Sequence, residues 1–133
     1  VYPTRAVRLT HFEHNTRLFS TYASHHGSSS ISFRHPSTGR KDFGFIRAIW
    51  SQSLQGQRKI FAMVEPHANL TPLDFVKTPY ATRPRFACFV CYSQPLRQPQ
   101  LVVEPSHIIS HVPYLHRPAG TFGIDKTVTI FGG

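Results

Sequence analysis

The sequence predicts a mainly β protein, a small distorted antiparallel barrel or sandwich with at most one short helix. Three observations carry that prediction. Eleven prolines and eight glycines in 133 residues interrupt the chain too often for long helices. Between these breaks lie short apolar runs, several with strict two-residue alternation, as half-buried strands require. Hydrophobic residues reach 40%, with 11 phenylalanines, against 16% charged, so the chain has a core to build.

The elements follow in order. "TRLFSTYA" (16–23) is a possible first strand and "SHHGSSS" (24–30) a polar loop. Residues 1–28 thus form an N-terminal segment ahead of a β domain over 29–133, the whole expected to make one compact domain. "SSISFRH" (29–35) alternates, with Ile31 and Phe33 on one face and Ser30, Ser32 and Arg34 on the other. After the turn "PSTGRKD" comes the strand "FGFIRAIW" (43–50), then the loop "SQSLQGQ" (51–57) and the strand "RKIFAMV" (58–64). These three strands read as an antiparallel meander.

Strict alternation in "FGFIRAIW" puts Gly44, Ile46, Ala48 and Trp50 on the core face. Phe43, Phe45, Arg47 and Ile49 share the other. In "TPLDFVK" (71–77), Thr71 is a fitting N-cap and Pro72 a fitting first helical residue, which allows one or two helical turns. Pro79 and Pro84 then enforce extended chain. "FACFVCY" (86–92) is apolar on both faces, as a central strand is, and Phe89 and Val90 join Trp50 in the expected core. "QLVVE" (100–104), "SHIISHV" (106–112) and "KTVTIF" (126–131) complete the strands.

Charge is the strongest functional signal. Fifteen Lys and Arg face six Asp and Glu, a formal +9. Such a surplus favours polyanionic partners, nucleic acid first. Eleven of the 15 are arginine, the side chain suited to bidentate phosphate contacts. Arg34, Arg40, Lys41, Arg47, Arg58 and Lys59 are the candidate nucleic-acid contacts, with Asp42 the lone acid between residues 40 and 59. On a seven-residue strand the two basic turns would lie roughly 20–25 Å apart, with Arg47 between them. Phe43 and Phe45 beside Arg47 are possible stacking residues, unless the N-terminal segment covers them as a second core layer.

Other chemistry is poorly represented. In "SHIISHV", His107 and His111 share a strand face roughly 13 Å apart, too far for one metal ion. His116 lies beyond Pro113, so no metal is expected from the three histidines. Cys88 and Cys91, three residues apart on a strand, point to opposite faces and read as reduced cysteines, consistent with a nuclear or cytosolic compartment. The six acids are scattered singly, and no G-x-S-x-G, H-E-x-x-H or phosphate-cradling glycine loop occurs. Catalytic residues and cofactors are therefore not expected. "NLT" (69–71) matches a glycosylation sequon, but Pro72 follows it directly. No apolar stretch approaches the roughly 20 residues of a membrane span. Val1 is not an initiator methionine, and the expectation is a part of a larger polypeptide.

The stretches "GRKDFGFIRAIW", "PYATRPRFACFVCY" and "LVVEPSHIISHVPYLHRPAGTFGI", with "RPAGTFG" the most distinctive word, span about residues 17–125. Together they resemble an uncharacterised β-rich segment of transposon-associated proteins in mushroom-forming fungi. The order F-G-x-I-x-x-I, basic strand, Pro-rich excursion, apolar strand and H-V strand also loosely resembles two other groups. These are the C-terminal β-domain of CACTA-type transposases and the bromo-adjacent homology (BAH) domain. The resemblance implies a DNA- or chromatin-associated accessory module on a distorted β-barrel, and it carries no residue roles with it. Some BAH domains hold methyl-lysine in aromatic cages, for which Trp50, Tyr80 and Tyr92 are the candidates here. The functional expectation is a non-enzymatic nucleic-acid- or chromatin-binding module, with DNA favoured over RNA. The alternative is a protein–protein scaffold domain.

Overall fold

The computed structural model describes residues 6–81, 88–96 and 100–132. The described residues begin with β1 (Ala6–Leu9), the hairpin β2 (His11–His14) and β3 (Arg17–Ser20), and a single-turn helix, α1 (His26–Ser29). Then come β4 (Ser30–Arg34), β5 (Lys41–Leu54), β6 (Gln57–Asn69) and a second single-turn helix, α2 (Pro72–Phe75). β7 (Cys88–Leu96), β8 (Leu101–Val103), β9 (Ile108–His111), β10 (Tyr114–Arg117) and β11 (Val128–Gly132) finish the fold. The protein is mainly β, as expected. Among the described residues there are two α-helical turns where at most one was expected. The extra one is α1, in the polar loop, where the His25 ring accepts a bond from Ser28 N–H as an N-cap would. The expected turn at α2 is present, with Thr71 Oγ1 accepting from Asp74 N–H and Pro72 at the first helical position. No helix among the described residues is long and apolar enough to cross a membrane.

The β4–β5–β6 meander forms antiparallel as predicted, but β5 and β6 run much longer than the sequence suggested. Residues 51–57 are not a loop. Gln55 and Gly56 both sit at positive φ, 53° and 77°, and so make the two-residue turn whose twist suits a hairpin. The ladder continues from Leu54↔Gln57 to Gly44↔Pro66.

One irregularity matters most. The register shifts between Ile46 and Ala48, so Arg47 is the extra residue of a β-bulge. Alternation resumes on the far side with its phase reversed. Ile46 and Ile49 therefore share the first core, although they are three residues apart. Trp50 is carried away from it. It is half-buried, stacked on Phe61 at 5.9 Å, with its indole N–H toward Gln52 at 3.3 Å. The expectation that Trp50 belongs to the core fails for this reason. Val90 is buried, and Phe89 is half-buried against the second core.

The sheet follows the order β10-β11-β7-β6-β5-β4-β9, with β1 on β5 and β8 on β6. Its two ends belong to one continuous piece of chain. β9 pairs with β4, and after Val112 and Pro113 the same chain pairs with β11 as β10. Val112 N–H bonds to Ser30 O at 3.0 Å, and Gly132 N–H to Pro113 O at 2.9 Å. The sheet is thus curled, and its faces hold separate cores. The first, with Ile31, Phe33, Ile46, Ile49 and Val64, is covered by Phe12 and Phe19 of the β2–β3 hairpin. The N-terminal residues therefore contribute to the same fold. The second lies on the concave face and holds Phe43, Phe45, Cys91, Val112 and Phe131. Ser30 and Ser32, opposite Phe45 and Phe43, are fully buried there. Their small side chains leave room for the rings. A third cluster gathers Val90, Tyr92, Ile124 and Val128 near α2.

Candidate functional site

The candidate site is a cleft of about 430 Å³ at one mouth of the curled sheet. Phe45 and Arg47 reach it from β5, His67 from β6 and Ser93 from β7. His116 and Arg117 come from β10, with Pro118, Thr127 and Tyr22 completing the wall. The geometry starts from the bulge, which turns Arg47 out beside the last buried ring of the strand. Glu65 holds the guanidinium Nε at 2.7 Å. Tyr22 is fixed by its main-chain N–H, which donates to Ile46 O at 2.8 Å. The Arg47 guanidinium lies 4.4 Å from the Tyr22 ring centroid, and His26 stacks on Tyr22 at 4.0 Å. A ring admits one such neighbour per face, so Tyr22 serves to position Arg47 and offers no free stacking surface.

Phe45 is the floor, 1% exposed, with Tyr22, Tyr114 and His67 presented edge-on at 4.8 to 5.6 Å. Its ring centroid is also 5.6 Å from that of His116. His67 is buried, and its Nδ1 lies 3.0 Å from Tyr92 O. A carbonyl can only accept, so Nδ1 carries the hydrogen. Nε2 is then a bare acceptor, buried and without a hydrogen-bond partner. Burial lowers the His67 pKa below the ordinary histidine value, with the main chain of Tyr92 and Ser93 opposing and His116 and Arg47 adding to it. His116 is lowered too, first by desolvation and then by Arg47 and His26. Its Nδ1 lies 2.8 Å from Thr129 Oγ1, which in turn lies 2.8 Å from Ser93 Oγ. Arg117 is exposed and makes no ion pair among the described residues. The cleft therefore presents cationic and polar groups, with Glu65 bound to Arg47.

The residues singled out from sequence are scattered. Phe43 and Phe45 are 8% and 1% exposed, packed in the second core, and cannot act as an exposed stacking platform. Arg34, Arg40 and Lys41 gather at the opposite end of β5, where Arg40 and Lys41 line a separate recess of about 340 Å³ with His35 and Asn69. Arg58 and Lys59 lie at the far tip of the long hairpin, opposite Ser53 and Gln52. At about 3.3 Å per residue, Lys41 is roughly 36 Å from the level of Lys59, not 20–25 Å. The line from Lys41 to Arg47 also passes the buried rings of Phe43 and Phe45, so these charges do not form one surface track. Of the six cations, Arg47 belongs to the cleft.

The three downstream histidines also separate. His107 sits in a 3-10 turn, Pro105–His107, rather than on a strand, and its Nδ1 accepts from Glu104 N–H at 3.0 Å. His111 stacks on Phe19 at 4.2 Å. Among the described residues, no three His, Cys, Asp or Glu side chains converge as a metal-holding group. Cys88 and Cys91 form no disulfide, and Cys91 is buried with Sγ toward Thr129 O. Trp50 lies apart from Tyr80 and Tyr92, which belong to the third cluster, so these three make no cage.

Tyr22, His67, Ser93, Arg117 and the role of His116 were not visible in the sequence. One signal was available. Taking Gln55–Gly56 as a two-residue turn sets a hairpin register that brings Arg47 near Glu65 and His67. Compared with family models, with curated proteins and with solved structures, the chain matches none.

Proposed function

We propose that this domain binds nucleic acid through its phosphates, without reading bases, and that the Arg47–Arg117 cleft is the point of firmest grip. The observation that carries this reading is the convergence of Arg47, Arg117, His67 and His116 on one recess in a chain of formal charge +9. Such a recess favours an anion, and a strongly cationic protein steers polyanions toward it. The sequestered Tyr22 and Phe45 rings argue against base stacking in the cleft, which leaves the sequence-independent backbone as the target. Arg34, Arg40 and Lys41 at the opposite mouth, and Arg58 and Lys59 at the hairpin tip, act as outlying contacts.

The test is fluorescence anisotropy with a labelled single-stranded oligonucleotide of mixed sequence, over a salt series. Affinity should fall linearly in log–log form, and Arg117→Ala should flatten the slope by about 0.7, one phosphate contact. Absence of binding at low salt would remove the nucleic-acid reading. An unchanged slope in Arg117→Ala would move the contact away from the cleft.

A further inference from the structure

We propose that the cleft is built to take a phosphate monoester, the phosphorylated end of a strand or a free mononucleotide, in preference to the diester links within a strand. This rests on the reading of the cleft as a phosphate seat and adds which phosphate it selects.

The argument begins with His67. Its Nδ1–H is committed to Tyr92 O, and its Nε2 is a buried lone pair with no donor. Leaving such a buried acceptor unsatisfied is costly, so a ligand that supplies a hydrogen there gains what the empty site forgoes. Arg47 and Arg117 ask for the opposite, an acceptor with negative charge. Glu65 takes the Nε edge of Arg47, and no hydrogen bond among the described residues occupies its terminal nitrogens.

Few ligands meet both demands. A phosphate monoester does, because its second ionisation falls near pH 6, so at neutral pH it shares one proton readily while remaining anionic. A diester or a sulfate has no such proton. To meet Nε2, either would need His67 itself to charge, against burial and against Arg47 and His116. The groups around the two rings agree with this. His67 is packed by Phe45 and Phe131, and His116 by Phe45 and Tyr114. Tyr114 is itself held neutral, its pKa raised by burial and by Tyr22. Arg47 and the neighbouring Arg117 supply positive charge, and Glu65 is spent on Arg47.

His116 governs a further donor through its own hydrogen bonds. When its Nδ1 carries hydrogen, the chain must run from His116 to Thr129 Oγ1 to Ser93 Oγ. The Ser93 hydroxyl hydrogen is then left for the cleft. In that tautomer the cleft gains one more donor, and the proton taken up on binding is the one shared between the ligand and His67 Nε2. The volume of about 430 Å³ suits a mononucleotide-sized group.

The experiment is calorimetric titration of the full chain with a simple phosphate monoester, methyl phosphate, and separately with sulfate, from pH 6 to 8 at fixed ionic strength. Buffers of different ionisation enthalpy would count protons. The monoester should bind at least tenfold more tightly than sulfate at pH 7. Above pH 7 its affinity should fall by about tenfold per pH unit, the signature of one proton taken up. His67→Gln, whose amide offers its own hydrogens, should abolish both the uptake and the preference over sulfate. If that variant does not fold, the monoester–sulfate comparison on the natural chain still decides. Equal affinity for the two anions, or binding of the monoester dianion without proton uptake, overturns the proposal.

Paired oligonucleotides, 5′-phosphorylated and 5′-hydroxyl, then identify the source. About tenfold tighter binding of the phosphorylated strand assigns a strand end. A mononucleotide that binds as described while neither oligonucleotide does removes the nucleic-acid reading and leaves this proposal standing. Equal binding of both oligonucleotides with no competition from methyl phosphate removes this proposal and leaves the nucleic-acid reading.

Discussion

Replacing Phe45 and Trp50 separately by alanine tests the bulge at Arg47, on which the site depends. Both residues lie on β5, five positions apart, and unbroken alternation would put Trp50 in the core and Phe45 on the opposite face. The bulge reverses that ranking. Phe45 is 1% exposed, so truncation removes about 200 Å² of buried aromatic surface, or about 5 kcal/mol at 25 cal/mol/Å². Part of this returns through relaxation of Tyr22, Tyr114 and Phe131 into the space, so the expected loss is about 3–5 kcal/mol. Trp50 is half-buried, with one ring neighbour at 5.9 Å and one hydrogen bond at 3.3 Å. Its truncation should cost about 1–2 kcal/mol, within the ordinary range for partly exposed sites. Urea unfolding followed by far-UV circular dichroism gives both values, and is needed because Trp50 is the sole tryptophan. Both variants should keep the natural m-value. A cost for Trp50→Ala equal to or above that for Phe45→Ala would show that β5 runs without the bulge, and the cleft would lose its main cation.

Two further outcomes are expected. Gly44→Ala should destabilise by about 1–3 kcal/mol, because the new Cβ would lie 2.7 Å from Val64 Cγ1 and 2.9 Å from Glu65 O. A neutral effect in thermal melts would contradict that close approach of β5 to β6. Stability should also depend on pH through His67 and His116, whose folded pKa values lie below the unfolded value near 6.5. The unfolded chain then binds more protons, so their contribution is complete above about pH 6.5 and is lost as pH falls through the folded values. The urea midpoint should drop between pH 7.5 and 5.5, less so in His67→Gln, and a rise over that interval would refute the assignment.

Much of the architecture was legible because it is local. The alternation of 30–34, the cap at Thr71 with Pro72, and the apolar run ending at Tyr92 each carry their own physical signature. The bulge carries none. "FGFIRAIW" has apolar residues in both phases, so nothing in it marks where alternation slips. Ser30 and Ser32 are the polar face of an alternating strand, yet they are buried, because small residues are what a strand needs when phenylalanines pack across from it. The cleft was less legible still. Its members run from Tyr22 to Thr127, and although the β5–β6 and β10–β11 pairings are local, the two groups meet only through pairings of higher sequence separation. A lone histidine in "EPHAN" gives no hint that its ring will be tied by one nitrogen to a strand 25 residues away.

The bridging segment from Ile108 to Arg117 has a kinetic consequence. The β2–β3 and β5–β6 hairpins join residues close in sequence and can form early, whereas Ile31 must find His111 across eighty positions. That pairing is expected to be the last to form and, with Pro113 breaking the ladder in its middle, among the first to reopen. His116 and Arg117 sit on this late segment, so the recess they complete exists only while it is docked. An occupant would hold the segment in place, and its arrival would register as slowed amide hydrogen exchange along β9 and β10, ahead of any change in the β5–β6 hairpin.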